Sequence, residues 1–337
     1  MVESSIQKQL NIGIIPYWNL EPLRRELSQA SHGKAHVRSG IPSEVNRWLQ
    51  NGVVHLAPCS SVCLVTNHGH EMALPLGVAS NGPVQSVYLG FRSDHLKFYE
   101  YIQNRNKQLA LKMQAAIKHY GFDARKIAKS VWEEISHQPS LNISSCPPLK
   151  LSSASASSNY LTKILYNFWF GTDAYKIMSG RGFSKTYNEE HPIELVIGDE
   201  ALSRRSTFSR ILDLGHVWKE LTNLPFVFAV WQSKGTCLNG WRRHILELGE
   251  KAESKMKIDP NYYLPRDLPK DELNKTIKLP EYWKAIRYRL KADEMRGLLV
   301  FLCLTRELLA DKMDQDAMVK ILRWQELCQN GSMTQLR

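Results

Sequence analysis

The chain has 337 residues, a length that suits one large domain or two domains of medium size. Hydrophobic residues make up 43% and charged residues 23%, so the composition supplies a core and excludes a largely disordered chain. Lys and Arg number 44 against 33 Asp and Glu, and the net charge of +11 favours an anionic partner. These basic residues are spread along the chain and match no nucleic-acid motif, so we expect no nucleic-acid partner.

Cysteine spacing and hydropathy bear on metal binding and location. Cys59 and Cys63 have no matching second pair, so we expect no zinc site, and the scattered cysteines suit a reducing compartment. No stretch reaches the roughly 20 apolar residues that a membrane span needs, and the first residues lack the apolar segment of a secretion signal. We therefore expect a cytoplasmic protein with no membrane partner.

Apolar runs alternate with helical patterns through most of the chain. Runs of apolar and β-branched residues predict strands at 10–15, 34–40, 53–61, 82–91, 149–153, 192–198 and 224–231. Apolar residues at helical spacing predict helices at 22–29, 41–52, 94–121, 159–171 and, apart from the Pro-rich stretch 259–272, after residue 241. This order predicts an α/β fold with mainly parallel sheets flanked by helices and with a helical C-terminal tail.

Loops next to strand ends are where open α/β sheets bind ligands. Five such loops stand out, with the sequences PYWNLEP, APCSS, ASNGP, SSASASS and IGDEA. Four of them are rich in small or hydroxyl residues, which let backbone N–H groups approach an anion. From the residues alone we predict a two-lobed α/β protein that binds a small anion between its lobes.

Three polar residues in or near these loops are candidates for chemistry. Asn19 lies beside Tyr17 and Trp18, an arrangement that fits a pocket for an unsaturated ring and equally fits an ordinary turn. Ser86 falls within a predicted strand, where it faces either a cleft or solvent. Asp199 follows an apolar strand, where a carboxylate acts as a base, orients a ligand or caps the next helix.

Common catalytic signatures are missing from the sequence. It contains no phosphate-binding Gly-rich loop, no dinucleotide fingerprint and no G-x-S-x-G turn. We interpret His68, His70 and Glu71, in the segment NHGHE, as part of an exposed loop and not as metal ligands.

Seven segments occur in the order of one known family. They are PYWNLEPL, IPSEVNRWLQNG, LAPCSS, SNGPVQSVYL, SSASASSNYLTKIL, LVIGDEAL and LDLGHVWKELTNLPFVFAVW. Together they resemble the MqnA family, the chorismate dehydratases of the futalosine pathway of menaquinone biosynthesis. The most specific part is GDEAL followed by DLG and LPFVFAVW. The resemblance covers most of 10–93 and 149–235 and, more weakly, 279–302.

This resemblance implies the fold of type II periplasmic binding proteins and the cofactor-free dehydration of chorismate to 3-[(1-carboxyvinyl)oxy]benzoate. The substrate is a small dicarboxylate, and no metal is implied. The catalytic candidates are then Ser86, Asn19 and Asp199, and the proton acceptor is either Asp199 or the substrate's own carboxylate. The candidates for substrate binding are Tyr17, Trp18, Ser60, Ser61, Ser80, Asn81, Gly82, Ser155, Ser157 and Ser158.

The family's fold also sets the expected lobes. The first lobe is 1–91 together with 226–337, and the second is 92–225. Within the second lobe, the segment at about 95–148 is longer than expected for the family and is interpreted as an insertion. The sequence leaves open whether the chain forms a homodimer.

Two other functions stay open at this point. The same fold binds a ligand by lobe closure without chemistry, which would make the chain a binding protein for a small aromatic or cyclic carboxylate. The second alternative is the naphthoate-forming enzyme of the same pathway, expected to carry a catalytic histidine in the second lobe, where His191 is the nearest counterpart. The sequence also departs from the family pattern at His55, where an acidic residue is usual, and at Asn223, where glycine is usual.

The stretch SSASASS, at 152–158, joins a predicted strand to a predicted helix. Small residues permit close approach of a ligand, and the start of a helix offers free N–H groups, so we interpret the stretch as a ligand site and not as a linker. We predict that a bulky residue at Ser157 or Ser158 abolishes ligand binding and leaves the fold intact.

Overall fold

The computed structural model describes residues 10–30, 35–136, 148–171, 174, 192–235, 238, 241–259, 261–265, 279–309 and 315–329, and within them the chain forms two β-sheets flanked by helices. The strands are β1 (Leu10–Ile14), β2 (Ala35–Ser39), β3 (Leu56–Ser60), β4 (His70–Ser80), β5 (Val87–Phe91), β6 (Leu149–Lys150), β7 (Ile193–Ile197), β8 (Arg210–Asp213), β9 (Phe226–Lys234) and β10 (Ile286–Arg289). The helices are α1 (Glu21–Ala30), α2 (Pro42–Gln50), α3 (Cys63–Thr66), α4 (Leu96–Tyr120), α5 (Ala124–Ser136), α6 (Ala156–Phe170), α7 (Gly198–Arg204), α8 (Leu214–Thr222), α9 (Trp241–Ile258), α10 (Leu279–Ala285), α11 (Ala292–Leu309) and α12 (Gln315–Gln329).

Each sheet combines parallel and antiparallel strands. The larger sheet has the order β10-β4-β9-β3-β1-β2, in which β9 lies antiparallel between β3 and β4 and β10 lies antiparallel to β4. The smaller sheet has the order β6-β7-β5-β8, in which β5 runs against its neighbours. In the described part of the chain five of the eight neighbouring strand pairs are antiparallel, so the sheets are mixed and not mainly parallel as predicted.

The chain passes between the two sheets twice. It leaves the larger sheet at Ser80, begins β5 at Val87 in the smaller sheet, and returns to the larger sheet at Phe226. Two sheets joined by two crossings make two lobes, so the predicted two-lobed α/β organisation is found in the described residues. The predicted lobe boundary at residue 91 is too late for the sheets, because β5 pairs with both β7 and β8.

Helices α4 and α5 form the described part of the segment at 95–148, and its residues 137–147 lie outside the described residues. Ile102 and Met113 of α4 and Ile127 of α5 are buried in the main hydrophobic core, and α5 packs against α11 of the C-terminal tail. The two helices are thus an integral part of the core. That the segment is an insertion relative to the family stays a prediction.

Two strands, β4 and β10, depart from the sequence-based predictions. The segment of β4 contains Pro75 and Gly77, which weaken a strand signal, and its register with β9 shifts before Gly77.

The interpretation of His70 as part of an exposed loop is wrong, because the residue is buried at the start of β4 with its Nδ1 2.9 Å from Gln232 Oε1. β10 lies in a charged segment predicted to be helical, and its buried and exposed residues alternate as in a strand with one buried face.

Candidate functional site

A cavity opens between the two sheets, at the carboxyl ends of β1, β3 and β7 and the start of β5. Its empty volume is about 570 Å³, part of which opens to solvent. It is lined by residues of both lobes, namely Ile15, Tyr17, Asn19, Leu20, Pro42, Ser60, Val78, Val84, Ser86, Val87, Ser155, Ser158, Ile197, Gly198, Phe228 and Ala229. Six predicted site residues are among them, and these are Tyr17, Asn19, Ser60, Ser86, Ser155 and Ser158.

The turn after β1 brings Tyr17 and Asn19 to the cavity. A bond of 2.9 Å from Leu20 N to Tyr17 O closes a short 3-10 turn over Trp18–Leu20. Asn19 Oδ1 is buried and has no hydrogen-bond partner among the described residues. Because an unpaired buried oxygen is unfavourable, Asn19 offers an acceptor to a hydroxyl group of a ligand.

Ser86 lies immediately before β5, and the prediction that it falls inside a strand is wrong. Gln85 adopts a positive φ of 65°, which interrupts the extended backbone ahead of Ser86. The Tyr282 hydroxyl donates to Ser86 Oγ at 2.9 Å, and Gly198 N donates to Ser86 O at 2.7 Å. Since a serine hydroxyl both accepts and donates, Ser86 keeps its own proton for a further acceptor on the cavity side.

Ser60, at the end of β3, is held on two sides. Asn46 accepts from Ser60 N at 3.1 Å and donates to Ser60 Oγ at 3.3 Å, while Gln232 donates to Ser60 O at 3.0 Å. With its oxygen accepting from Asn46, the Ser60 hydroxyl has its proton available toward the cavity.

The serines that open α6 form the wall of the second lobe. Ser155 is the N-cap of this 15-residue helix, and its Oγ accepts from Ser158 N at 3.3 Å and donates to Ser158 Oγ at 2.9 Å. The first N–H groups of a helix carry a partial positive charge. This wall therefore suits a carboxylate or another anion.

Ser61 and Ser157 join the two lobes and are absent from the cavity lining. Their hydroxyl oxygens lie 3.0 Å apart, Ser157 Oγ also accepts from Val62 N at 3.2 Å, and Ser61 Oγ donates to Val227 O at 2.7 Å. Both serines are buried. The two serines therefore form an interlobe contact in which both hydroxyl groups have protein partners.

Asp199 and Trp18 form a second interlobe contact. Asp199 Oδ1 accepts from Trp18 N at 3.1 Å. The N-cap of α7 is Ile197, so the carboxylate does not cap that helix. Burial is the main reason that the pKa of the Asp199 carboxyl is raised to about 6. The nearby charge of Glu21 raises this pKa further, and the hydrogen bond from Trp18 N partly lowers it.

The loop of Ser80, Asn81 and Gly82 lies at the crossing between the lobes and is absent from the cavity lining. Ser80 Oγ donates to Gly82 O at 3.0 Å, and Asn81 is exposed. In this arrangement the loop's polar groups bond within it or face solvent, and the substrate contacts expected for these three residues stay a prediction.

Sequence reasoning missed the aromatic residues behind the cavity, in the segment YWKAIRY. Tyr282, Trp283 and Tyr288 are buried there, and each donates a hydrogen bond toward the cavity residues. Buried Tyr and Trp side chains need partners for their polar atoms, but the sequence pattern of this segment does not indicate where those partners lie. His191, the counterpart considered for a naphthoate-forming enzyme, lies outside the described residues.

Comparison with protein families decides the relationship of this chain. The sequence profile of a family described as menaquinone biosynthesis matches residues 10–120 and 126–307. The chain belongs to the menaquinone-biosynthesis family. Its role therefore lies in that pathway, and every predicted site residue falls within the matched ranges. A comparison with curated protein sequences finds no match.

Solved structures similar to this family member are distant in sequence. The CA3427 gene product of Candida albicans, described as having the generic periplasmic binding protein structural fold, shares 9% identity and a TM-score of 0.48, over 94% of this chain and 95% of its own. Protein AF1704 from Archaeoglobus fulgidus shares 10% identity and a TM-score of 0.43, over 96% and 98%. An OxyR mutant from Porphyromonas gingivalis shares 14% identity and a TM-score of 0.31, over 72% and 92%. Similarities at this level bear on neither activity nor ligand.

Two residues that depart from the expected family pattern have local partners or geometry. Asn223 adopts a left-handed φ of 57° after α8, a position that favours glycine and tolerates asparagine. His55 Nδ1 accepts from Asn11 N at 3.1 Å, and His55 N donates to Asn11 O at 2.8 Å. Neither residue lines the cavity.

The described ranges contain neither a metal-binding cluster of side chains nor a helix that could span a membrane. No group of three or more His, Cys, Asp or Glu side chains there is placed to hold a metal ion. None of the helices in those ranges combines the length and the apolar composition that crossing a bilayer requires.

Proposed function

We propose that this member of the menaquinone-biosynthesis family dehydrates chorismate to 3-[(1-carboxyvinyl)oxy]benzoate in the cavity between its lobes. One observation carries the proposal: the cavity unites Asn19 and Ser86, which both have unused hydrogen-bonding capacity, with the serine-capped start of α6. The first pair suits a hydroxyl group, and the helix start suits a carboxylate.

The reaction is an elimination that releases water. The bond from ring C3 to hydrogen breaks, its electrons form the new double bond between C3 and C4, and the C4 hydroxyl leaves as water after taking up a proton. The ring becomes aromatic, which supplies most of the driving force. Because the reaction is neutral in oxidation state, it needs no electron acceptor, and the protein's part is to orient the ring and move one proton.

Asn19 and Ser86 are assigned to the leaving hydroxyl. Asn19 Oδ1, which has no hydrogen-bond partner among the described residues, accepts a hydrogen bond from the C4 hydroxyl. Ser86 receives its own hydrogen bond from Tyr282, so its proton is available to the oxygen as the C–O bond breaks. Donors aimed at a developing oxyanion lower the barrier more than they strengthen ground-state binding.

Substrate carboxylates are assigned to the hydroxyl and N–H donors around the cavity. The ring carboxylate binds Ser155 and Ser158 at the start of α6, and Ser60 donates from the opposite lobe. None of the described lining residues carries a positive charge, so neutral donors do this work. The C3 proton passes to the substrate's own carboxylate or to Asp199, and one proton is returned to the departing hydroxyl to complete the water, so no net proton is gained or lost.

The test is to incubate the purified protein with chorismate and to detect the benzoate product by liquid chromatography and mass spectrometry. We expect turnover by the unaltered protein and a loss of kcat of about 100-fold or more in Asn19→Ala and Ser86→Ala. Ser39→Ala, an exposed serine in β2, is the matched control and should leave kcat unchanged.

Calorimetry on the same samples separates the alternatives. Binding of chorismate without any product would favour a non-catalytic binding protein for cyclic carboxylates. Neither binding nor product, at high protein concentration and with a verified chorismate sample, would overturn the proposed function.

A further inference from the structure

A short C-terminal segment, from the end of α10 through β10, lies directly behind the cavity. Three of its side chains, Tyr282, Trp283 and Tyr288, are at most 1% exposed. Each has a polar atom at its tip, and each donates that atom's proton to a residue of the loops that form the cavity. We call these three side chains the aromatic layer.

The segment that carries the aromatic layer is itself well anchored. β10 pairs with β4, with Ile286 opposite Ser80. Glu253 of α9 accepts from Tyr288 N at 2.7 Å and from Arg289 N at 2.9 Å. A rigid support of this kind is what a side chain needs in order to position another group.

The first contact of the layer is with Ser86. The Tyr282 hydroxyl donates to Ser86 Oγ at 2.9 Å, so it restricts the rotation of the Ser86 hydroxyl. A hydroxyl that accepts one hydrogen bond is also a stronger donor in the next one. Burial raises the pKa of Tyr282, so this phenol stays protonated and able to donate a hydrogen bond at neutral pH.

The other two contacts are with the backbone of the turn that carries Asn19. Trp283 Nε1 donates to Trp18 O at 2.7 Å, and the Tyr288 hydroxyl donates to Asn19 O at 2.7 Å. These two carbonyl groups belong to the peptide units on either side of the Asn19 Cα, so the bonds fix both peptide units. The direction in which the Asn19 Cα–Cβ bond leaves the turn follows from the orientation of this backbone.

We propose that Tyr282, Trp283 and Tyr288 are positioning residues, through which the C-terminal segment holds Ser86 and Asn19 in reactive geometry. The proposal rests on the function proposed above. Tyr282 acts through Ser86, while Trp283 and Tyr288 act through the Trp18–Asn19 turn. None of the three is among the residues that line the cavity, so none is assigned a contact with substrate.

The kinetic test is a double-mutant cycle on chorismate dehydration. Tyr282→Phe should lower kcat by about 10-fold or more and change KM by less than about 3-fold, because the ground-state contacts remain. In a Ser86→Ala background the same substitution should change kcat by less than about 2-fold, since its partner is gone. Tyr88→Phe is the matched control: Tyr88 is equally buried and donates to Ala201 O at 2.9 Å, on a separate small hydrophobic cluster, and its loss should leave kcat unchanged.

Hydrogen exchange tests the other arm without any substrate. In Tyr288→Phe, the backbone amides of the turn at 17–20 should exchange faster than in the unaltered protein, and in Tyr88→Phe they should not. Effects of Tyr282→Phe and Ser86→Ala that simply multiply, or an unchanged exchange rate in Tyr288→Phe, would overturn the positioning role. If the unaltered protein gives no product, the proposed function fails, and the exchange result still decides whether the aromatic layer holds the turn.

Discussion

At the scale of single residues, Asp199 has the most informative environment. Its carboxylate accepts a hydrogen bond from Trp18 N across the lobes, yet burial raises its pKa to about 6. An unfolded aspartate has a pKa of about 3.9. Between about pH 4 and pH 6, Asp199 therefore keeps its proton in the folded chain and has lost it in the unfolded chain. Because of this difference, the contribution of Asp199 to the free energy of unfolding falls as pH rises from about 4 to about 6.

The same pKa gives a prediction for activity. If the ionised Asp199 accepts the C3 proton, kcat/KM for chorismate should rise with pH through an inflection near 6, and Asp199→Asn should be slow and lack that inflection. The measurement is a set of initial rates from pH 5 to 8 at low substrate concentration. An active Asp199→Asn variant with an unchanged pH profile would instead assign the proton to the substrate's own carboxylate.

Adjacent serines of α6 have different roles, which sharpens the earlier prediction for bulky substitutions. Ser157→Ala should lower the free energy of unfolding by about 1–3 kcal/mol, because it leaves Val62 N buried without an acceptor. Ser158→Ala should affect chorismate affinity more than stability, because Ser158 lines the cavity. Urea denaturation and calorimetry on both variants check this division, and a loss of affinity with unchanged stability in Ser157→Ala would contradict it.

At the scale of elements, the stretch SSASASS at 152–158 connects the short strand β6 to α6 and contributes the first residues of that helix. Ser155 caps the helix, and the next residues begin it. Its start thus combines a capping hydroxyl, free N–H groups and a place in the cavity wall. The stretch is therefore a structured helix start and not a linker.

Charge and capping at Ser155 can be separated by substitution. Ser155→Asp should keep the stability of α6, because aspartate is a good N-cap, but should weaken chorismate binding at least 10-fold by placing a negative charge beside a carboxylate site. Ser155→Ala should lose about 1 kcal/mol of stability. Thermal unfolding and binding titration of both variants provide the measurement, and tight binding by Ser155→Asp would contradict an anion site at this helix.

The sequence predicted elements well where local pattern and packing agree. β3, β7 and β9 are runs of buried residues, and the strands predicted there are found. β4 escaped prediction because Pro75 and Gly77 interrupt its pattern, and a Cβ on Gly77 would lie 2.2 Å from the carbonyl oxygen of Ala229. That close approach is a tertiary contact, which no local pattern reports.

Prediction of the site had a similar limit. Loops after strands pointed to Asn19, Ser60 and Ser155, because strand ends of one sheet meet at one edge. The aromatic layer comes from a segment about 200 residues away from Ser86, where nothing local indicates that its hydroxyl and indole groups face the cavity. The roles of Ser61 and Ser157 depend on how the lobes meet, which sequence spacing does not specify.

At the scale of the whole molecule, the crossing from β4 to β5 is organised by one half-buried carboxylate. Asp213, the N-cap of α8, accepts from His216 N at 3.1 Å and from the crossing segment at Val84 N and Gln85 N, the latter at 2.6 Å. Val84 and the following Ser86 both line the cavity. Asp213 therefore links the geometry of the crossing to that of the site.

Asp213→Ala should remove both the helix cap and the acceptors for the crossing. We expect a loss of about 2–4 kcal/mol in the free energy of unfolding, from the lost cap and from buried N–H groups without partners. We also expect weaker chorismate binding in the fraction that stays folded. Urea denaturation monitored by tryptophan fluorescence measures the first effect, and a change below about 0.5 kcal/mol would contradict this role.

We propose the cavity between the sheets as the site of dehydration, where Ser86 and Asn19 contact the substrate. A crystal structure with the product 3-[(1-carboxyvinyl)oxy]benzoate bound tests it most directly. We expect the ring in the cavity, a carboxylate at the start of α6, and Ser86 Oγ and Asn19 Oδ1 facing the ring carbon that lost the hydroxyl. Product bound at another surface, or in the cavity with Ser86 and Asn19 turned away from the ring, would contradict it.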